Sequence, residues 1–155
     1  MKYTPREADP VHDSLEPIIR ALGMVILEFS LGRHKGNVQV RVVVDKPGAA
    51  PLGHNDCIRV HRAIIPRLEL AFPGEELSVE VSSPGIDRTI KDGVEMVHHI
   101  GRVVRCYCID GSADWVAGKL LAADSKGISL ETGDGELRLA FQDIAKAKLY
   151  TGEEV

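Results

Sequence analysis

Hydrophobic and polar positions follow two different rhythms along this chain. Val11, Leu15, Ile18, Ile19 and Leu22 recur at steps of three and four, the spacing of one helix face. Asp9-Pro10 ahead of them supplies an N-cap acid and a first-turn proline, and Gly23 supplies a stop. Pro17 lies inside this helix and is expected to remove a hydrogen bond or bend it. The rhythm then shortens to two. Met24–Leu31 (MVILEFSL) and Asn37–Asp45 (NVQVRVVVD) read as strands, the second with Val38, Val40, Val42 and Val44 on one face and Gln39 and Arg41 on the other. Gly32–Gly36 (GRHKG) reads as the hairpin loop between them. A Pro/Gly loop, KPGAAPLG, follows. Helical spacing returns over Asn55–Leu70, with Ile58, Ile64, Ile65 and Leu68 on the buried side and Pro66 predicting a kink or an early end. Leu77, Val79 and Val81 then alternate into the corner VSSPGIDRTIK, residues 81 to 91.

After the corner the chain changes character. Asp92–Ile100 reads as a short helix, and strands are expected at Arg102–Ile109, Trp115–Ala123, Gly127–Thr132, Glu136–Phe141 and Ala147–Tyr150. Turn signals stand at Asp110-Gly111, Lys126-Gly127 and Gly133-Asp134-Gly135. Short strands this closely spaced predict a small antiparallel barrel of the SH3 or Sm kind. The expected architecture is α+β in two domains. Residues 1–88 form an N-terminal domain in the order α-β-β-α-β that ends in the corner, and residues 89–155 form the barrel.

The corner has its own physics. Pro84-Gly85 fits the central positions of a type II turn, where proline presets φ and glycine accepts a positive φ without a Cβ clash. Ser82 and Ser83 can bond local backbone groups. Asp87 can accept from turn amides, and the planar fork of Arg88 can hold a carboxylate or a phosphate. A rigid linker is the plainer reading of these residues.

Composition narrows the classes. The chain has 155 residues, 44% hydrophobic and 27% charged, which is ordinary globular usage. No apolar run approaches the roughly 20 residues a membrane span needs. The first ten residues, MKYTPREADP, carry acids where a signal peptide has its apolar core, so a cytoplasmic protein is expected. A formal net charge of −4 argues against coating nucleic acid by bulk attraction and leaves local basic patches to do it. Those patches are Arg33 and Lys35 at the hairpin tip, Arg59 and Arg62 at i, i+3 on the second helix, Arg88 and Lys91 beside the corner, and Arg102 and Arg105 at the start of the barrel. Such groups can place phosphates of folded RNA, which is read mainly by shape and backbone.

Motifs for catalysis are lacking. Ser82 and Ser83 have no G-x-S-x-G elbow, the six histidines form no recognisable triad, and neither a Walker loop nor G-x-G-x-x-G is present. Cys106 and Cys108 point to one side of a strand near His98-His99, but Cys-x-Cys alone is a weak metal signal, and with Cys57 they read as reduced thiols. Trp115 at the start of a strand reads as core or rim packing rather than as a base-stacking platform.

The stretch EVSSPGIDRTIK (Glu80 to Lys91) resembles the signature of the RimP family of bacterial ribosome maturation factors. LEPIIRALGMVILEFSL (Leu15 to Leu31), VRVVVDKPG (Val40 to Gly48), HNDCIRVHRAI (His54 to Ile64) and FQDIAKAKLY (Phe141 to Tyr150) are similar to the family's other segments and stand in its order. Thr89 stands where the family has a proline, and His99 where an aromatic residue is common. The resemblance implies a non-enzymatic, cofactor-free protein that binds the immature small ribosomal subunit, through 16S ribosomal RNA and small-subunit ribosomal proteins, and promotes late 30S assembly. The partner-binding residues expected on this basis are Ser82, Ser83, Pro84, Gly85, Asp87 and Arg88 at the corner, with Arg33, Lys35, Arg59 and Arg62. A monomer without a membrane partner is expected, since no long apolar stripe is left after both cores are assigned. A general protein-interaction adaptor built on an SH3-like barrel is the alternative, and a hydrolase using the histidines is a distant third.

Overall fold

The computed structural model describes residues 1–47, 52–85, 88–109 and 114–150. The chain divides into two compact units. One is Glu7–Pro84; the other is Gly85–Val155 together with Met1–Arg6.

In the first unit α1 spans Pro10–Ala21, β1 Val25–His34, β2 Asn37–Asp45, α2 His54–Ala71 and β3 Glu76–Ser82. Asp9 caps α1, its carboxylate accepting from the Val11 and His12 amides at 3.0 and 3.2 Å. Both helices continue through their prolines. Proline at 17 or 66 deprives the carbonyl four residues earlier of its donor, and in each case Asp13 or Arg62 lies on the exposed face, where water replaces the lost bond. The hairpin is tighter than the five-residue loop expected from GRHKG. His34 pairs with Asn37, leaving a two-residue turn in which Lys35 and Gly36 have φ of 48° and 81°. Two successive positive φ values define the I′ turn, whose twist matches that of the flanking strands. Gly32 and Arg33 are thereby strand residues.

The sheet order is β1-β2-β3, with β1–β2 antiparallel and β2–β3 parallel. A parallel return requires a crossover, and α2 supplies it. The core joins Leu15 and Ile19 of α1, Val38, Val40, Val42 and Val44 of β2, and Val60, Ile64 and Leu68 of α2. The alternating valines of β2 are the face on which the helices pack.

The second unit contains β4 (Thr89–Ile90), a 3₁₀ segment (Gly93–His99), β5 (Val103–Cys108), β6 (Trp115–Ala123), β7 (Gly127–Thr132), β8 (Gly135–Ala140), a 3₁₀ turn (Phe141–Asp143) and β9 (Ile144–Leu149). The strands pair in the order β4-β9-β5-β6-β7-β8. The closed SH3- or Sm-like barrel predicted by the turn spacing is not what the pairing gives. β4 has two residues, too few to carry the ladder round, and β4 and β8 stand at opposite ends of an open sheet. Bulges between Tyr107 and Cys108 and between Leu120 and Ala122 bend it. Its core includes Ile90, Met96, Val104, Cys106, Leu120, Ile128, Leu130 and Ile144.

Residues 1–6, expected within the N-terminal domain of 1–88, belong to this second unit. The Met1 ammonium donates to the Phe141 carbonyl at 2.9 Å and to the Ile144 carbonyl. Gly93 N–H donates to the Lys2 carbonyl at 2.8 Å, and Thr4 N–H donates to Asp92 Oδ1 at 2.9 Å. Tyr3 stacks on Phe141 with ring centroids 5.9 Å apart. Gly93 is buried against the same ring, and a Cβ added there would lie 2.7 Å from Phe141 Cζ, so any larger residue would displace Phe141.

Candidate functional site

The corner and the basic patches behave differently from each other. Gly85 has φ of 84°, the conformation the Pro-Gly pair predicts. Asp87 lies outside the described residues. Arg88 is buried at 7% exposure rather than presented to a partner. Its Nη2 donates to Glu95 Oε1 at 2.6 Å and its Nε to Glu95 Oε2 at 3.1 Å, a two-point clamp. His99, fully buried, donates from Nε2 to the same Glu95 Oε2 at 2.7 Å, and its Nδ1 faces Arg102 Nη1 at 3.5 Å. With arginine as donor on one side and carboxylate as acceptor on the other, the ring fits the Nε2–H tautomer. The Arg88 carbonyl accepts from Leu149 N–H at 2.9 Å, tying the start of β4 to the end of β9.

The triad gives the buried His99 a role, to complete the hydrogen bonding of Glu95. Thr89 is a strand residue paired with Lys148. Burial pushes the Glu95 carboxyl up, but the hydrogen bonds from His99 and Arg88 outweigh it and hold the group below its ordinary 4.5. A carboxyl lowered on folding adds stability above its unfolded value, and that stability is lost as pH falls through the folded value. Denaturation midpoints should therefore decline as pH drops below 4.5. Glu95→Gln should flatten that part of the profile. An unchanged acid slope in the variant would assign the effect to other carboxyls.

The remaining predicted residues do not form one patch. Arg33 is held by Glu75, Nη2 to Oε1 at 2.7 Å, and lies 5.2 Å over the Phe72 ring. Arg59 Nη1 is 3.6 Å from Asp56 Oδ1, which also meets Lys46 through its other oxygen at 3.0 Å. Arg62 and Lys35 are exposed. Phe72 follows Arg59 by thirteen positions, almost all of them helical. At about 1.5 Å per residue that places the hairpin pair roughly 15 to 20 Å from the α2 pair, Arg62 being the nearer.

Ser82 and Ser83 line a groove of about 560 Å³ between β3 and the start of α2, together with Glu80, His54, Cys57 and His61. The Cys57 thiol is pushed up by burial and by the Asp56 charge, the opposite of what a thiolate nucleophile requires. Cys106 and Cys108 face the core, and burial, with Cys108 beside it, pushes the Cys106 thiol up to about 12. Among the described residues no three His, Cys, Asp or Glu side chains are grouped to hold a metal ion.

One cluster joins residues that the sequence names only separately, Arg105 and Trp115, to others it does not name. Trp115 is not in the core; it is 40% exposed on the outer face of the second sheet. Tyr107 meets it edge-on with centroids 5.5 Å apart. The Arg105 guanidinium lies 5.1 Å over the Trp115 ring and 5.9 Å from that of Tyr150. The signal is present as alternation: Arg105-x-Tyr107 on β5 and Lys146-x-Lys148-x-Tyr150 along β9 set basic and aromatic side chains outward around the inward-facing Cys106 and Ala147.

An α-β-β-α-β unit with a serine-lined corner is thus followed by a sheet unit whose first strand is clamped through Arg88. Residues 14–87 match the family model described as the RimP N-terminal domain. The chain therefore carries a RimP N-terminal domain, over a little under half of its length. No described helix is long and apolar enough to cross a membrane.

Proposed function

We propose that the protein is a non-catalytic, cofactor-free assembly factor acting late in maturation of the 30S small ribosomal subunit. It binds the immature particle as a cytoplasmic monomer through 16S ribosomal RNA, small-subunit ribosomal proteins or both. The observation that carries this reading is the RimP N-terminal domain at residues 14–87. The second unit, read as an opened relative of the SH3- or Sm-like barrel, offers a separate contact on the same chain. Two modest contacts reinforce each other through effective concentration while each remains weak enough to release.

Arg88 serves this function from inside, as a brace. The exposed Arg59 and Arg62 are the better surface probes. Co-sedimentation with immature and mature small subunits, large subunits and whole ribosomes over a salt series tests the proposal. Binding should favour small subunits, the immature form above all. Arg59→Ala/Arg62→Ala should weaken it and lower the salt slope by about one for each phosphate left unneutralised. Folded protein that sediments with no ribosomal particle would refute the assembly role. Retention on a protein partner regardless of ribonuclease and salt would put the adaptor reading in its place.

A further inference from the structure

The outer face of β9-β5-β6 concentrates charge of one sign in a chain whose net charge is −4. The register sets Arg105 between Lys148 and Ala117, Tyr107 between Lys146 and Trp115, and Val103 opposite Lys119. Four cations and two aromatic rings thus share three adjacent strands. At about 4.8 Å between strands and 3.4 Å per residue they span roughly 10 by 14 Å. Lys119, Lys146 and Trp115 are exposed, and Arg105, Tyr107 and Lys148 half-buried. Among the described residues the carboxylates next to this face stand at its margins, Glu131 opposite Lys119 on β7 and Asp114 just before Trp115.

We propose that this face is a binding platform for single-stranded RNA, with bases stacking on Trp115 and Tyr107 and the backbone phosphates drawn to Arg105, Lys119, Lys146 and Lys148. The proposal rests on the reading of the protein as a small-subunit assembly factor and names the chemistry of one of its contacts. Cations alone would suit an acidic protein segment equally well. The rings decide between them: every base has a flat face to stack, and an acidic segment gains little from exposed indole. The platform is also set in advance. The Arg105 guanidinium against one side of Trp115 and the edge of Tyr107 against it hold the indole in place, so little side-chain freedom remains to be lost on binding. Sequence tolerance is expected, because stacking and phosphate attraction read no base edge.

Trp115 is the sole tryptophan, so its fluorescence reports the contact directly. A labelled oligoribonucleotide of about ten nucleotides should bind the full chain with quenching of that fluorescence, and log K should fall with log salt at about −0.7 per phosphate contact, or roughly −3 for four cations. Trp115→Ala should weaken binding roughly 5- to 100-fold, with Trp115→Phe restoring part of it. Lys146→Gln/Lys148→Gln should make the salt slope shallower by about 1.4. Lys126→Ala, in the turn before β7, should bind as the parent does. Circular dichroism and melting curves establish that each variant is folded. Folded Trp115→Ala and Lys146→Gln/Lys148→Gln proteins that bind RNA like the parent would overturn the platform, as would a parent that binds polyglutamate but not RNA. Small-subunit binding that persists without any oligonucleotide binding overturns the platform and leaves the assembly role standing. Oligonucleotide binding without subunit binding supports the platform and removes the assembly role.

Discussion

Glu95→Ala should destabilise the second unit by about 3–5 kcal/mol, the range for breaking a buried ion pair from one side. The substitution withdraws the carboxylate that meets Arg88 at 2.6 and 3.1 Å and His99 at 2.7 Å. Arg88 and His99 are 7% and 0% exposed, so water cannot readily take over the lost hydrogen bonds. The loss of the methylene packing adds to this. Urea denaturation followed by circular dichroism gives the number. A combined Arg88→Met/Glu95→Leu replacement is the control: with both charges gone and the volume kept, stability should recover part of the loss, short of the parent value because His99 Nε2 is left without its acceptor. Should Glu95→Ala cost less than about 1 kcal/mol, the clamp contributes little and Arg88 would have to act elsewhere.

Gly127→Ala should cost about 3 kcal/mol, the upper end for forcing extra volume into a packed interior. Gly127 opens β7 and is buried opposite Ala140. A Cβ there would stand 2.1 Å from the Leu139 carbonyl oxygen and 3.0 Å from the Ala140 Cα. Both obstacles are backbone, so relief requires β8 to move away from β7. That movement would disturb the ladder beside Ile128, Leu130 and Leu139, which are core residues. Gly133→Ala in the β7–β8 turn is the matched comparison, since no atom lies within 4 Å of its added Cβ, and it should be close to neutral. Equal melting temperatures for the two variants would rule out the close approach of β7 and β8.

The first unit is legible because its periods are clean. The spacing in α1 and the valine alternation of β2 each name one buried face, and the structure packs those faces together; in α2 Ile64 and Leu68 join that core as expected, with Val60 there in place of Ile58 and Ile65. Pro66 misleads in one respect only: α2 does not end early at it but runs on to Ala71. The GRHKG loop reads too long because the left-handed conformation of Lys35 lets a non-glycine take a position where glycine is expected to mark the turn. In the second unit the strands can be read but not their closure, since closure depends on the length of β4 and on two bulges, and neither leaves a periodic mark.

The site is legible in its residue types more than in its roles. The planar fork of Arg88 marks it as half of a charge clamp, but its partner Glu95 lies in a segment that reads only as a short helix. A buried glutamate and a surface one look alike until tertiary contacts distinguish them. Packing is the natural expectation for Trp115 because a tryptophan at a strand start is usually covered. What leaves it open is the register that sets Tyr107 and Arg105 beside it, a relation between strands that one strand's sequence does not contain.

The attachment of Met1–Arg6 to the second unit has a consequence for how the molecule is made. The Met1 amino group and the Phe141 carbonyl it meets are 140 positions apart. A ribosome synthesising this chain releases the first partner early and the last one near the end. Throughout translation of Glu7–Pro84 the opening segment has nothing to dock on, because Gly93, Phe141 and Ile144 do not yet exist. The first unit, a compact unit of continuous chain, can form in the meantime. Closing so long a loop adds entropy only logarithmically, so the arrangement costs time more than stability. The chain is a nested insertion rather than two beads in series. Dividing it at Pro84 and Gly85 would part the sheet from Met1, Lys2, Tyr3 and Thr4, leaving Phe141 without its stacking partner and the Gly93 amide without its acceptor.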